Sequence, residues 1–152
     1  MRLGDEVMEK EKIYLDNCAY NRPYDDQTQL KIHLETQAKL KIQDNAVSGK
    51  CDLIWSYILE FENNDNPYEY KRNRIEEWKD IAKISVVENE EIKSMAKEIK
   101  AKGIDTKDAI HIACAKYAGA DYFITTDVSV LKKEVEGINI SSPLDYIKDK
   151  EE

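Results

Sequence analysis

Residues 105–127 read DTKDAIHIACAKYAGADYFITTD, and this stretch decides the fold. Its first part has a helix-forming composition and stops at Gly119, a residue type that commonly ends helices. The following YFIT is a short apolar run typical of a buried strand, and it ends near Asp127. The stretch therefore predicts a helix from Asp105 to residue 117 or 118, followed directly by a buried strand.

The same alternation of short strands and helices continues outward in both directions. The predicted strands are residues 12–15, 51–55, 84–87, 122–125 and 138–141. The predicted helices are residues 26–44, a helix that starts at residue 57 behind Ser56 as its cap, and residues 67–82, 90–102, 105–118 and 128–134. Such alternation is typical of a parallel sheet with helices on both faces. We therefore expect an α/β fold, a three-layer α/β/α sandwich with a central, mostly parallel sheet.

Two of these helices carry more detailed predictions. In the helix of residues 26–44, Leu30, Leu34 and Ala38 recur every four residues and should form the apolar stripe that faces the core. The helix of residues 67–82 follows a polar break, with Asn66 expected as its N-cap and Pro67 at its first position.

Length and composition limit the classes of protein to which the chain can belong. Its 152 residues, 41% of them hydrophobic, suffice for one ordinary domain. We place that domain at residues 12–147, between charged tails at residues 1–11 and 148–152. No apolar run approaches the ~20 residues that span a bilayer, and the N-terminus lacks an apolar signal-peptide core. A cytoplasmic protein that does not enter a membrane is therefore expected.

Cysteine content and charge exclude two further kinds of site. Cys18, Cys51 and Cys114 lie far apart, which disfavours a disulfide framework or a zinc knuckle. The net charge of −8 disfavours a broadly basic surface for nucleic acid. Nucleic acid would then need local basic patches and bound metal.

Four acids stand where the predicted strands and helices should bring them together. Asp16 directly follows the first strand, and Asp127 follows the fourth. Glu60 and Asp108 lie in the first turns of predicted helices. Because parallel sheets place their sites at the carboxyl ends of the strands, all four carboxylates should meet at one edge.

Clustered carboxylates need a counter-charge, since a like-charge pair at 4 Å repels by roughly 4 kcal/mol at an effective dielectric of 20. Oxygen ligands favour Mg²⁺ or Mn²⁺, which suit phosphodiester cleavage. Each acid also has a plainer interpretation. Asp16 would be a turn residue, Glu60 a solvated helix acid, Asp108 the acid of a capping box opened by Asp105, and Asp127 a helix N-cap.

Four motifs resemble those of the PIN-domain family, which includes bacterial VapC-like toxin ribonucleases. They are IYLDNCAY with Asp16 and Asn17, SYILE with Ser56 and Glu60, DAIHIACA from Asp108 to Ala115, and FITTD with Thr125 and Asp127. The closing GINISSP resembles the last strand and proline of the family. Order and spacing agree over residues 13–147.

The resemblance implies a PIN-like parallel sheet and a metal-dependent endoribonuclease, with RNA as substrate and Mg²⁺ or Mn²⁺ as cofactor. Many bacterial members are toxins paired with an antitoxin protein, and many form homodimers. Carried over by motif, the catalytic and metal-binding acids would be Asp16, Glu60, Asp108 and Asp127. Asn17 and Thr125 would hydrogen-bond to them.

Other residues admit two interpretations. Lys71, Arg72 and Arg74, interleaved with Tyr68, Tyr70 and Trp78, would contact RNA, as would Arg22. Alternatively, these basic side chains lie on a solvated helix face, and the aromatic rings between them point into the core. His111, one turn beyond Asp108, either tunes the acidic site or has a half-buried packing role. A PIN-like protein that binds RNA or a protein partner without cutting remains the alternative to a nuclease.

Overall fold

Parallel strands form the centre of the molecule. The computed structural model describes residues 10–150, which contain one five-stranded sheet in the order β3-β2-β1-β4-β5. Every neighbouring pair is parallel. The strands are β1 (Glu11–Leu15), β2 (Cys51–Ser56), β3 (Ile84–Val86), β4 (Tyr122–Ile124) and β5 (Asn139–Ser141). This confirms the predicted α/β fold.

Helices flank the sheet, as the alternating pattern predicts. The described helices are α1 (Asn17–Asn21), α2 (Leu30–Val47), α3 (Tyr57–Asn64), α4 (Glu69–Ile81), α5 (Glu90–Lys100), α6 (Thr106–Tyr117), α7 (Val128–Leu131) and α8 (Pro143–Lys150). A short 3-10 turn, Arg22–Tyr24, follows α1. The predicted cap of α3 is confirmed, because Ser56 Oγ accepts from the Leu59 amide. Asn89 caps α5 in the same way, its Oδ1 accepting from the Ile92 amide.

The central strand explains why the core is continuous. β1 pairs with β2 on one side and β4 on the other, so Ile13 lies opposite both Leu53 and Tyr122. Ile13, Tyr14 and Leu15 are fully buried. This part of the strand is covered on both faces and has no solvated side, which is why residues 13–15 are all apolar while Glu11 and Lys12 at the start of the strand are not.

The strand order places a crevice beside β1. The chain proceeds from β1 to β2 and β3 on one side, then crosses to β4 and β5 on the other. The order therefore reverses between β1 and β4, and open α/β sheets bind ligands at the carboxyl ends of strands at such a reversal. Asp16 and Asp127 follow the two strands that border this point.

α2 departs from its prediction at its first turn. The helix begins at Leu30 rather than residue 26, because Asp26 Oδ1 accepts bonds from the amide and hydroxyl of Thr28 and closes a turn instead. Leu30 is 70% exposed and Leu34 is 38% exposed, so of the predicted apolar stripe only Ala38 reaches the core.

The start of α4 and the ends of the domain also differ from prediction. The N-cap of α4 is Tyr68, not Asn66, whose side chain instead accepts from the Tyr68 amide in a turn before the helix. β1 already begins at Glu11, and α8, which was not predicted, runs through Lys150. Lys150 Nζ lies 2.6 Å from Glu11 Oε2, so residues assigned to the two tails hold the domain ends together.

The remaining parts of the predicted tails, residues 1–9 and 151–152, lie outside the described residues. Among residues 10–150, no helix combines the length and apolar character required to span a membrane.

Candidate metal centre

Asp16 is the most firmly held of the predicted acids. It caps α1, where Oδ1 accepts from the Asn17 amide at 2.8 Å. Its Oδ2 accepts from Thr125 Oγ1 at 2.8 Å and from the Cys18 thiol at 3.4 Å. The backbone amide of Asp16 continues the β1–β4 pairing by donating to Ile124 O. A carboxylate 5% exposed and fixed on three sides has little freedom to turn away.

Thr125 joins the ends of β1 and β4. Its buried hydroxyl donates to Asp16 and, through the same oxygen, accepts from the Asp127 amide at 3.1 Å. Thr125 therefore makes the hydrogen bond to Asp16 that the family resemblance implies. Asn17 contributes its backbone amide to Asp16, while its side-chain oxygen accepts from Asn21 Nδ2 at 3.3 Å.

Asp127 has the N-cap geometry that its plainer interpretation described. Its Oδ1 accepts from the amide and the hydroxyl of Ser129 at 2.9 and 2.7 Å, which begins α7. Capping uses one carboxylate oxygen and leaves Oδ2 for other partners, so the cap and a place in an acidic cluster are compatible.

Among the predicted acids, Asp108 has the most strongly shifted pKa. Burial, and after it the negative charges of Asp16 and Asp127, together raise the pKa of its carboxyl to about 6. The three aspartates therefore lie within electrostatic reach of one another. Within the described chain, Asp105 makes no side-chain cap bond, which excludes the capping-box interpretation of Asp108.

Glu60 has partners other than these aspartates. Its Oε1 accepts from Trp55 Nε1 at 3.1 Å and lies 3.2 Å from Lys79 Nζ on α4. Burial by itself would raise the pKa of Glu60, but these two partners lower it below its ordinary value. The carboxylate is thus engaged with Trp55 and with Lys79 of α4.

Glu62 lies on the opposite side of α3 from Glu60. Two helical positions differ by about 200° around the axis, so the two glutamates point in nearly opposite directions. Glu62 Oε1 lies 2.7 Å from His111 Nε2, and the same nitrogen lies 3.8 Å from Asp16 Oδ1. The sequence signal was available, since Glu62 follows the buried Ile58 and Leu59 at helical spacing.

His111 is fully buried and joins α6 to β1 and α3. Its Nδ1 lies 2.6 Å from Tyr14 Oη, which lies 2.6 Å from Ser56 Oγ. Burial opposes the charged imidazole, but the Glu62 hydrogen bond and the nearby acids raise the pKa of His111 overall. The predicted half-buried packing role is therefore wrong. A polar network holds this ring against Glu62.

The donor set fits a hard divalent cation. Among residues 10–150, no three acidic, histidine or cysteine side chains converge closely enough to ligate one ion without rearrangement. Mg²⁺ commonly takes only one or two protein carboxylates and keeps its waters, so a pre-closed cage is not required. The negative charges of Asp16 and Asp127, which raise the pKa of Asp108, supply the unbalanced charge that such an ion would offset.

The side chains predicted to contact RNA differ in how firmly other parts of the protein hold them. Arg22 lies 2.9 Å from Asp25 and 3.0 Å from Glu35, and Arg72 donates to Asn66 O at 2.8 Å. These two arginines hold the loop structure. Arg74 is paired more loosely and is exposed, with Tyr70 Oη and Glu77 as its partners.

Lys71 differs from these arginines. Its ammonium lies over the rings of Tyr24 and Tyr68 and, within the described chain, has no carboxylate partner. Tyr68 and Tyr70 are exposed, while Trp78 packs against the core. The interpretation that places the aromatic rings in the core therefore holds for Trp78 alone.

Comparison with known proteins identifies a family. The model of the PIN domain matches residues 22–134. A chain of a DNA-bound VapBC from Salmonella typhimurium has a similar fold, with TM-score 0.57 and 16% identity over 88% of this chain and 98% of that one. A chain of VapBC2 from Rickettsia felis, bound to a promoter DNA fragment, has TM-score 0.54 and 10% identity over 86% and 98%. The search of curated proteins gave no match.

Proposed function

The chain belongs to the PIN-domain family, and from that premise we propose that it is a Mg²⁺- or Mn²⁺-dependent endoribonuclease. The observation that carries the proposal is the link made by Thr125, whose hydroxyl holds Asp16 at 2.8 Å and the Asp127 amide at 3.1 Å. This link fixes two acids at the point where the strand order reverses. Asp108 lies within their electrostatic reach.

We assign the cation to Asp16, Asp108, Asp127 and Glu62. Glu62 takes the place first given to Glu60, because Glu60 is bound to Trp55 and Lys79 whereas Glu62 reaches the aspartates through His111. When bound, the ion supplies a water of lowered pKa and charge stabilisation for the leaving oxygen.

The chain's own residues orient the reaction. Thr125 and the Asn17 amide fix the Asp16 carboxylate, so that its orientation is set before any ligand arrives. The carboxylates accept the proton released by the attacking water. In-line attack on the phosphate leaves a 3′-hydroxyl and a 5′-phosphate, with no covalent intermediate on the protein.

We further propose that the protein is the toxin of a toxin–antitoxin pair, acts in the cytoplasm and forms a homodimer. The support is the family and the likeness to chains of two VapBC complexes. Co-purification with the product of a neighbouring small gene, followed by measurement of the mass of the complex, tests both the antitoxin and the dimer.

A second candidate is a PIN-like protein that binds RNA or a protein partner without cutting. The net charge of −8 favours it, as do the arginines Arg22 and Arg72, which are already engaged within the fold. Such a protein would bind its partner equally well without divalent metal.

The test of the site compares two glutamates two residues apart. Mn²⁺ affinity is measured by calorimetry for wild type, Glu62→Gln and Glu60→Gln, alongside cleavage of a mixed RNA pool. We expect Glu62→Gln to weaken Mn²⁺ binding and abolish cleavage, while Glu60→Gln, the matched control, retains both. The reverse order would return the fourth position to Glu60, and loss in neither variant would exclude both.

A further inference from the structure

A cleft opens beside Asn17 and Glu62, next to the acidic cluster. Its volume is about 260 Å³. Asp65, Tyr68 and Lys71 line it as well. Asn17 binds Asp16 through its amide, so whatever occupies this cleft lies next to the proposed reaction centre. The volume falls just below the range of about 300–1,000 Å³ for drug-sized ligands, which suits a group the size of one base.

Tyr68 gives the cleft an aromatic surface. The residue is 60% exposed although its ring is large and apolar. Lys71 Nζ lies 4.3 Å from the ring centroid and 5.5 Å from that of Tyr24, so the ammonium is held at the mouth of the cleft by two rings. An exposed ring with a cation beside it is the arrangement on which single-stranded nucleic acids stack their bases.

The charges of the cleft decide which part of a nucleotide it accepts. Glu62 and Asp65 make its interior acidic, and an acidic interior repels phosphate. A base is neutral and offers both N–H donors and oxygen or nitrogen acceptors on its edge. Within the part of the chain that the structure describes, the Asp65 carboxylate has no hydrogen-bond partner, and Asn17 Nδ2 likewise has none. These groups can therefore meet such an edge without breaking existing bonds.

We propose that this cleft is a nucleobase subsite for single-stranded RNA, in which the base next to the scissile phosphate stacks on Tyr68. Lys71 meets the phosphate of that nucleotide at the mouth of the cleft. Asp65 accepts from the two adjacent N–H donors of guanine while Asn17 Nδ2 donates to its O6 acceptor, so guanine is favoured. This inference rests on the proposed ribonuclease function and adds the substrate class that the site accepts.

The test measures stacking separately from cleavage. Short single-stranded RNAs with 2-aminopurine at one position are titrated with the full chain carrying Asp16→Asn, which prevents cutting. Tyr68→Ala is added to that chain, and Tyr70→Ala serves as the matched control. Tyr70, two residues after Tyr68 and in the first turn of α4, is similarly exposed, at 65%, but does not line the cleft. Stacking quenches 2-aminopurine fluorescence, so loss of quenching reports loss of the subsite.

We expect Tyr68→Ala to weaken binding about five- to a hundredfold and to remove the quenching, with Tyr70→Ala near the parent. In the cleaving protein, Tyr68→Ala should lower kcat/KM by a similar factor and leave Mn²⁺ affinity unchanged. Asp65→Asn should reduce the preference for guanine. Equal effects of the two tyrosine variants, or none, would overturn the subsite. If wild type cleaves nothing but Tyr68 still governs quenching, the ribonuclease proposal fails while the subsite stands.

Discussion

Replacing Asp108 by asparagine should stabilise the metal-free protein while removing its capacity to bind metal. Burial and the charges of Asp16 and Asp127 raise the pKa of Asp108 from 3.8 to about 6. At 1.36 kcal/mol per unit this shift corresponds to roughly 3 kcal/mol. The side chain remains partly open to water, so screening reduces the expected gain to about 1 kcal/mol.

The pH dependence of this gain has a definite sign. An acid whose pKa is raised by folding binds its proton more tightly in the folded state, so its ionisation costs stability as pH rises. The cost of Asp108 is absent below about pH 4, grows between pH 4 and pH 6, and is complete above that range. Asp108→Asn should therefore raise the Tm at pH 7 by about 2–4 °C and leave it unchanged near pH 4.

Thermal unfolding in EDTA at several pH values is the assay, with Asp105→Asn as the matched control. Asp105 is exposed and caps the same helix without a side-chain bond, so its replacement should change little. Saturating Mn²⁺ should then reverse the order, because an ion that binds only the folded wild type raises its stability. A lower Tm for Asp108→Asn in EDTA at pH 7, or a gain that persists at pH 4, would refute the electrostatic reasoning.

Two further predictions concern the groups that hold the acids. His111→Leu removes the hydrogen bond to Glu62. Because removing the partner of a metal ligand usually has this effect, the variant should bind Mn²⁺ about 10- to 100-fold more weakly by calorimetry. Wild-type affinity in this variant would show that the contact is only structural. Thr125→Val deletes a buried hydroxyl that serves both Asp16 and Asp127, and should cost about 2 kcal/mol in urea unfolding. Thr125→Ser keeps the hydroxyl and is its control, so equal losses in both variants would contradict the role of the bond.

The sheet could be predicted because its central strands contain buried apolar runs. Residues 13–15 of β1 and 123–124 of β4 are fully buried, and an acid follows each of these strands at the sheet edge. An apolar run followed by an acid is a local pattern, so these strands can be recognised without knowing how the helices pack. The helix α8 is different, because Pro143 follows a strand and signals only that the strand has ended.

Helix faces were harder to predict than helices. Leu30 and Leu34 have the spacing of a core stripe, yet both are exposed at the start of α2. In the same helix Glu35, Lys39 and Gln43 are buried. Periodicity identifies which residues share a face but not which neighbour covers that face, and here the cover includes α8, which the sequence pattern did not show.

The acidic site illustrates the same limit. Asp16 and Asp127 follow strands directly, so their placement depends only on the sheet. The choice between Glu60 and Glu62 depends on which way α3 turns, because α4 takes one glutamate through Lys79 and α6 takes the other through His111. Neither partner is near in sequence. Counting from the buried Leu59 would have favoured Glu62.

We propose that the aspartates at the ends of β1 and β4 make the protein a metal-dependent ribonuclease. Cleavage of a mixed pool of structured and single-stranded RNAs by wild type and Asp16→Asn, in Mn²⁺, in Mg²⁺ and in EDTA, tests this proposal. We expect cleavage by wild type with either metal, products that carry 5′-phosphates, and no cleavage in EDTA or by the variant. Full activity of Asp16→Asn, or cleavage that persists in EDTA, would contradict it.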